Sequence, residues 1–390
     1  MLFASLIVTC FSLLAAGSPL QFPLLSELYQ YSPDHDLSKP KIDQLFELHK
    51  LLVQIPSVSY SEYEVSTKLA DYLRSHQLSV DLQRVAENRY NVFAYKGYQN
   101  DTKVLLTSHI DTVPPFFPYK ISKYGKRIYG RGSTDAKGSV AAQVISFLDL
   151  LENGDIKEGD LSLLFVVGEE NGGHGMQYVN SNIDYHWETV IFGEPTENKL
   201  GVGHKGGYGG VLNVTGLASH SGYPELGINA NTILVEFLST LLSQKLPFDD
   251  LLGNSSLNIG EINGGVAANV IPDHAQAILS FRVASHLKFF QDLIPGLIKE
   301  SKYRDRIEFF STIGKGRGPV FFDYKIDGFE SIVLGYGTDA FSLSRKQLKN
   351  KILYGPGSIH VAHGANEFVS TDDLIKAVED YKKLVKYGLK

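Results

Sequence analysis

The stretch TKVLLTSHID at residues 102–111 is an apolar run that ends in His109 and Asp111. DAKGSVAAQVISFLDLL (135–151) follows, then LSLLFVVGEE (161–170) and TVIFGEP (189–195). The first, third and fourth read as short buried strands, and the second has the length of a helix. Strands that alternate with helices fold into a largely parallel sheet. In such sheets, ligands sit beyond the carboxyl ends of the strands. The acids at 111, 169, 170 and 194 all fall at such ends.

Working outward, residues 41–55 carry an apolar face at helical spacing (Ile42, Leu45, Phe46, Leu48, Leu51, Leu52), and 62–76 predict a second helix. A short helix is expected after the glycine-rich turn NGGHG (171–175). Near residue 207 the pattern changes. GYGGVLNVTG (207–216) and HAQAILSFRV (274–283) read as antiparallel strands, with a helix at 229–244 between them. The first pattern resumes near 320 and closes with a helix at 371–388. The expected fold is therefore α/β. A mostly parallel-sheet catalytic domain, with helices on both faces, carries an inserted α+β lid built on an antiparallel sheet. The expected organisation is a signal peptide at 1–17, an N-terminal extension at 18–40, the catalytic domain at 41–206 and 319–390, and the lid at 207–318.

The chain has 390 residues, 43% of them hydrophobic, which suits two cores rather than one. Its net charge of −6 is spread along the chain and argues against nucleic acid as a partner. MLFASLIVTCFSLLAAGSP (1–19) is apolar and ends in small residues, as a cleaved secretory leader does. The expectation is a secreted protein, with the vacuole as the alternative and no membrane attachment after cleavage. The only cysteine, Cys10, lies in that leader, so the mature chain offers no thiol ligand or nucleophile. Glycosylation triplets begin at Asn100, Asn213 and Asn254.

The chemistry is concentrated in a few motifs. His109 and Asp111, two residues apart at a strand end, point to one face, so Asp111 can orient a metal-binding imidazole. Asp135 follows a glycine-rich turn and precedes a helix; it can cap that helix or bridge two cations. Glu169 and Glu170 are adjacent like charges at the end of an apolar strand, a costly arrangement that a nearby metal relieves. One of the pair can bind the ion while the other accepts a proton from water; Glu169 is the better candidate base and Glu170 the better ligand. Glu194 is a further candidate ligand, and GPGSIHVAHGANE (355–367) adds His360 and His363. Nitrogen and oxygen donors without sulfur suit two zinc ions, with cobalt or manganese as alternatives.

SHIDTVP, GRGSTDAKG, GEENGG, GEPT, ASHSGYPELGINA, GGVAANVIPD, GTDAF and GPGSIHVAHGANE, taken together, resemble the co-catalytic zinc peptidases and deacylases. That family includes glutamate carboxypeptidase, aminoacylase, acetylornithine deacetylase and succinyl-diaminopimelate desuccinylase. The chain looks like a secreted fungal-type carboxypeptidase member. The resemblance implies that His109 and Glu194 hold one zinc and Glu170 and His363 the other, with Asp135 as the bridge. It also implies that Asp111 orients His109 and that Glu169 is the general base. His363 is preferred over His360 because it stands in the Ala-His segment ahead of Asn-Glu. His220 would stabilise the oxyanion, often across a homodimer formed through the lid. Asn269, Arg282, Gly337 and Thr338 match substrate-contacting positions, with Arg282 suited to a free carboxylate. Ser280 stands where an acid is usual.

The expected substrate is a peptide or an N-acyl amino acid. The leader ranks a carboxypeptidase above an N-acyl-amino-acid deacylase. An aminopeptidase or dipeptidase, and a non-catalytic peptide-binding relative, rank lower.

Overall fold

The computed structural model describes residues 36–344 and 348–390. The leader, Cys10 and most of the extension at 18–40 lie outside the described residues.

The central sheet contains β1 (Ser79–Ala86), β2 (Arg89–Tyr95), β3 (Val104–His109), β4 (Leu161–Val166), β5 (Thr189–Gly193) and the strand Asn350–Tyr354. Their spatial order is β1-β2-β4-β3-β5 followed by Asn350–Tyr354. The pairs β3–β4, β3–β5 and β5 with Asn350–Tyr354 are parallel; β1–β2 and β2–β4 are antiparallel. Successive side chains of a strand point to opposite faces. Val104 and Leu106 accordingly enter one core and Leu105 enters the other. The first core is roofed by α1 (Lys39–Gln54), α2 (Tyr63–Ser75), α3 (Lys137–Glu152) and the closing helix Thr371–Gly388. The second core is covered by α4 (His174–Asn182) and by Phe322, Leu334 and Leu343. Helices therefore lie on both faces, though unequally.

Local sequence explains these helices. Pro40 sits in the first turn of α1, where its missing N–H costs nothing. Helix α3 is buried from Lys137 to Leu150, and its mixture of small and apolar residues on every side allows that. Ser370 caps the closing helix by accepting the Asp373 N–H at 3.2 Å, and Asp372 and Asp373 face the positive end of its dipole.

A second sheet is built from β6 (Gly206–Thr215), β7 (Ser256–Gly264), β8 (His274–Val283) and β9 (Ile307–Ser311). It is antiparallel throughout, in the order β7-β8-β6-β9. One face packs against α5 (Ala230–Leu242) and α6 (Leu287–Glu300), through Leu212, Leu279, Phe281, Leu234 and Phe290. Strand β8 alternates buried and solvent-facing residues, so Arg282 projects from the uncovered face. Among the described residues, no helix is long and apolar enough to cross a membrane.

Candidate metal centre and active site

The loops beyond the carboxyl ends of β3, β4 and β5 and the 355–367 segment converge on one point. Strand β3 ends in His109. Its Nδ1–H donates to the Asp111 carbonyl at 3.0 Å, which turns Nε2 toward Asp135 Oδ1 at 3.1 Å. Glu194 Oε2 stands 3.9 Å from the same Nε2. The other oxygen of Asp135, Oδ2, lies 3.2 Å from His363 Nε2, and Glu170 Oε2 lies 3.0 Å from that nitrogen. One Asp135 oxygen thus faces each histidine.

Two donor groups result, His109–Asp135–Glu194 and Asp135–Glu170–His363, each with ligand atoms within 4.8 Å of one another. Glu169 belongs to neither group and lines the adjoining cavity. His360 is exposed and in neither group. His363 is held at φ +62°, a left-handed conformation that is sparsely populated outside glycine and that here aims its ring into the cluster.

The electrostatics are those of crowded acids. Desolvation, then the Glu194 charge, hold the Glu169 carboxyl well above the ordinary carboxylate range. Glu194 is raised in the same way, by burial and by Asp135. Burial also raises Glu170. Asp135 is lowered because its hydrogen bonds to His109 and His363 outweigh burial. The hydrogen bonds that His363 donates to Asp135 and Glu170 push it up to about 10. Like charges this close are costly alone, and dications offset them. The imidazole nitrogens, the carboxylates and the two-pointed Asp135 fit a pair of divalent ions.

The Asp111 carboxylate departs from the expected arrangement. It sits 3.6 Å from His109 Nδ1, beyond hydrogen-bond reach. Instead it accepts the amide N–H groups of Glu169 (3.0 Å) and Glu170 (3.3 Å) and the Ser59 hydroxyl (2.7 Å). Asp111 orients His109 through its backbone carbonyl and uses its side chain to pin the acid pair. The amides claim the carboxylate because the tight turn after β4 would otherwise leave them unpaired.

Sequence reasoning passed over a second support. Glu367 is fully buried and accepts Arg131 Nη1 at 2.7 Å, the Thr134 N–H at 3.1 Å and the Asp135 N–H at 3.2 Å. Arg131 also donates to the carbonyls of Pro115 and His363. The pair clamps the Asp135 backbone to the segment that carries His363. Both residues lie inside the recognised motifs, but a partner 236 positions away leaves no local signal.

The remaining expected residues are spread more widely. Arg282 and Thr338 line the cavity beside Glu169, whereas Gly337, next to Thr338 in the chain, is not part of its lining. Thr338 Oγ1 lies 3.1 Å from His204 Nε2. His220 and Asn269 are exposed on a small ribbon of the second sheet's domain, where the Ser221 N–H donates to the Asn269 carbonyl. Neither belongs to the metal groups nor lines the Glu169 cavity within this chain. Asn254 is exposed, Asn100 is partly covered, and Asn213 is half-buried with its Oδ1 accepting Gln276 Nε2 at 2.9 Å. A larger cavity of about 580 Å³ beyond Arg317 and Phe341 contains none of the clustered acids.

Residues 202–294 match the model of a peptidase dimerisation domain. A Peptidase M20 domain-containing protein of Schizosaccharomyces pombe is 46% identical over 91% of this chain and 88% of its own length. The chain belongs to the M20 peptidase family. A probable carboxypeptidase of Aspergillus clavatus is 41% identical over 88% of this chain and 89% of its own. The fold is shared with a Staphylococcus aureus tripeptidase (TM-score 0.76, 20% identity, 89% and 98% of the two chains). It is also shared with a Bacillus subtilis dinuclear metal-binding M20 peptidase (TM-score 0.63, 17% identity, 90% and 99%). This M20 chain is thus a hydrolytic metallopeptidase with candidate metal-ligand groups on shared Asp135.

Proposed function

We propose that this M20 chain is a secreted di-zinc carboxypeptidase that removes the C-terminal residue of peptides. One observation carries the reading: Asp135 directs one oxygen to each of two three-donor groups, while Glu169, in neither group, lines the adjoining cavity with Arg282. His109 and Glu194 would hold one zinc, Glu170 and His363 the other, and Asp135 both. Bound there, the metal pair supplies Lewis acidity toward the scissile carbonyl and makes water a stronger acid. Glu169 takes the proton of the attacking water and passes it to the leaving amine. Its raised affinity for protons suits that exchange. Arg282 receives the free carboxylate of the substrate, and Thr338 lines the same cavity.

The dimerisation-domain match supports a homodimer, and the exposed His220 and Asn269 are then free to reach a partner's site and stabilise the oxyanion. The apolar leader and the exposed Asn254 triplet support a secretory route. The names of the fungal relatives support carboxypeptidase over deacylase.

A panel of matched peptides, with free and amidated carboxyl termini, tests the reading with and without chelator. Cleavage of only the free-carboxyl members, abolished by chelator and restored by zinc, is expected. Cleavage of amidated peptides that stops when the amino terminus is blocked overturns it in favour of an aminopeptidase. Cleavage of N-acyl amino acids alone favours the deacylase.

A further inference from the structure

Three Asn-Gly pairs occur in the chain, at Asn153-Gly154, Asn171-Gly172 and Asn263-Gly264. An asparagine side chain can cyclise onto the amide nitrogen of the next residue, and glycine, with no side chain, shields that nitrogen least. The fold protects two of the pairs. The Gly154 N–H donates to the Leu151 carbonyl at 3.2 Å at the end of α3, so its nitrogen is engaged. Asn263 lies in β7 opposite Gln276 and donates its side-chain amide to Glu261. A strand holds that side chain out from the ladder, away from the amide that follows.

Asn171-Gly172 is different. Both residues are exposed, in the turn that follows Glu169 and Glu170. The amides around them are engaged: Asp111 takes the Glu169 and Glu170 N–H groups, the Gly168 carbonyl takes that of Gly173 at 2.8 Å, and the Val167 carbonyl that of Gly175 at 2.9 Å. Among the described residues, neither the Gly172 N–H nor the Asn171 side chain has a hydrogen-bond partner. Gly172 is held at φ +99°, a region that residues with a side chain rarely adopt, so the turn itself demands glycine there. A free nucleophile and a free electrophile are thus adjacent, one residue after the acid pair.

We propose that Asn171 is a self-modifying site whose conversion to aspartate and isoaspartate switches off the neighbouring acids. The Gly172 nitrogen gives its proton to water and attacks Asn171 Cγ. A C–N bond forms, the Cγ–Nδ2 bond breaks, and ammonia leaves. Water then opens the resulting five-membered imide at either carbonyl. The balance is one water taken up and one ammonia released, with no change of oxidation state.

Both products place a new carboxylate beside Glu170, and like charges so close are costly. Isoaspartate also adds a methylene to the main chain between Glu170 and Gly172. That carbon enlarges the loop closed by the Gly173 N–H and the Gly168 carbonyl, within which Glu169 and Glu170 are held. A displacement of about 1 Å in a catalytic group costs roughly a hundredfold in rate. The switching-off rests on the roles given to Glu169 and Glu170; the conversion of Asn171 does not.

The metal-loaded full chain, held in warm neutral buffer and sampled over time, tests both parts. Peptide mapping reads the amide-to-acid mass gain at each Asn-Gly pair, and labelling by an isoaspartyl methyltransferase reads isoaspartate. Asn171 is expected to convert about fivefold or more faster than Asn153 and Asn263, the factor that one backbone hydrogen bond is worth. Conversion no faster than at those two positions overturns the site. Peptidase kcat, followed on the same samples, is expected to fall as isoaspartate accumulates. Asn171→Ala and Asn171→Ser have no side-chain amide, and each should keep its own starting kcat over the same period. Decay of both variants at the parent's rate, or full kcat in a parent chain converted at Asn171, overturns the switching-off and leaves the mass result to stand by itself.

Discussion

Replacing Glu367 by alanine tests how the two halves of the centre are held together. The side chain is fully buried and satisfies Arg131 and the amides of Thr134 and Asp135. Removing one partner of a buried ion pair costs about 3–5 kcal/mol, because the other charge remains buried. The two amides lose their acceptor as well, at roughly 1–3 kcal/mol each if nothing replaces it. These losses overlap, so urea unfolding should report about 3–5 kcal/mol for Glu367→Ala. Glu367→Gln separates the two jobs. Its carbonyl oxygen can still accept the amides, but its NH₂ group then faces Arg131 donor to donor. It should lose stability on a similar scale while keeping more metal than Glu367→Ala, because the Asp135 backbone stays anchored. The Arg131→Met/Glu367→Leu double variant should recover the part of the loss due to the unpaired charge, leaving the deficit of the two amides, roughly 1–3 kcal/mol each if nothing replaces their acceptor. It should not recover metal retention. Metal per chain, read by elemental analysis on each folded preparation, completes the assay. A Glu367→Ala chain within about 1 kcal/mol of its parent, with its metal intact, refutes the clamp.

His49 is buried, donates Nε2–H to the Ser133 carbonyl at 2.9 Å, and is lowered to about 4, chiefly by burial. The unfolded chain binds this proton more readily, so stability is full above about 6.5 and falls as pH drops toward 4, by about 3 kcal/mol. His49→Gln removes the titration but keeps a donor. Its stability difference from the parent, measured by urea unfolding, should therefore shift by about that amount in the variant's favour between pH 7 and pH 4. Gly175→Ala would bring a methyl group to 2.5 Å from the Val167 carbonyl and 2.6 Å from Asn91 Oδ1. It should cost about 1–3 kcal/mol in thermal unfolding and lower kcat by shifting the nearby acid turn. Asp111→Asn replaces an acceptor with a donor facing the Glu169 or Glu170 amide. It should reduce kcat at least about tenfold, since it misplaces the base, and should cost roughly 1–3 kcal/mol in unfolding, since a buried amide loses its acceptor.

Much of the architecture was legible because buried strands and amphipathic helices write their period into the chain. The closing helix falls on 371–388 as expected, and α1 and α5 differ from expectation by a few end residues. The β1–β2 hairpin was missed. Strand β1 is an edge strand with mixed burial and charged residues at Asp81 and Arg84, so it lacks a clean alternation. At the centre, His109, Asp135, Glu170, Glu194 and His363 do converge on one place, while His360 stays outside it. Their supports were not readable. Nothing local to Glu367 names Arg131, and nothing in SHIDTVP shows that the amides of Glu169 and Glu170 take the Asp111 carboxylate.

The division of labour between the adjacent acids is the centre of the account, and Glu169→Gln tests it directly. Turnover of a free-carboxyl peptide and zinc per chain are measured on the same preparation. Loss of kcat by about 10²-fold or more, with two zinc ions retained, is the expected result. Turnover within tenfold of the parent contradicts the base assignment, and loss of one zinc with the activity makes Glu169 a ligand instead.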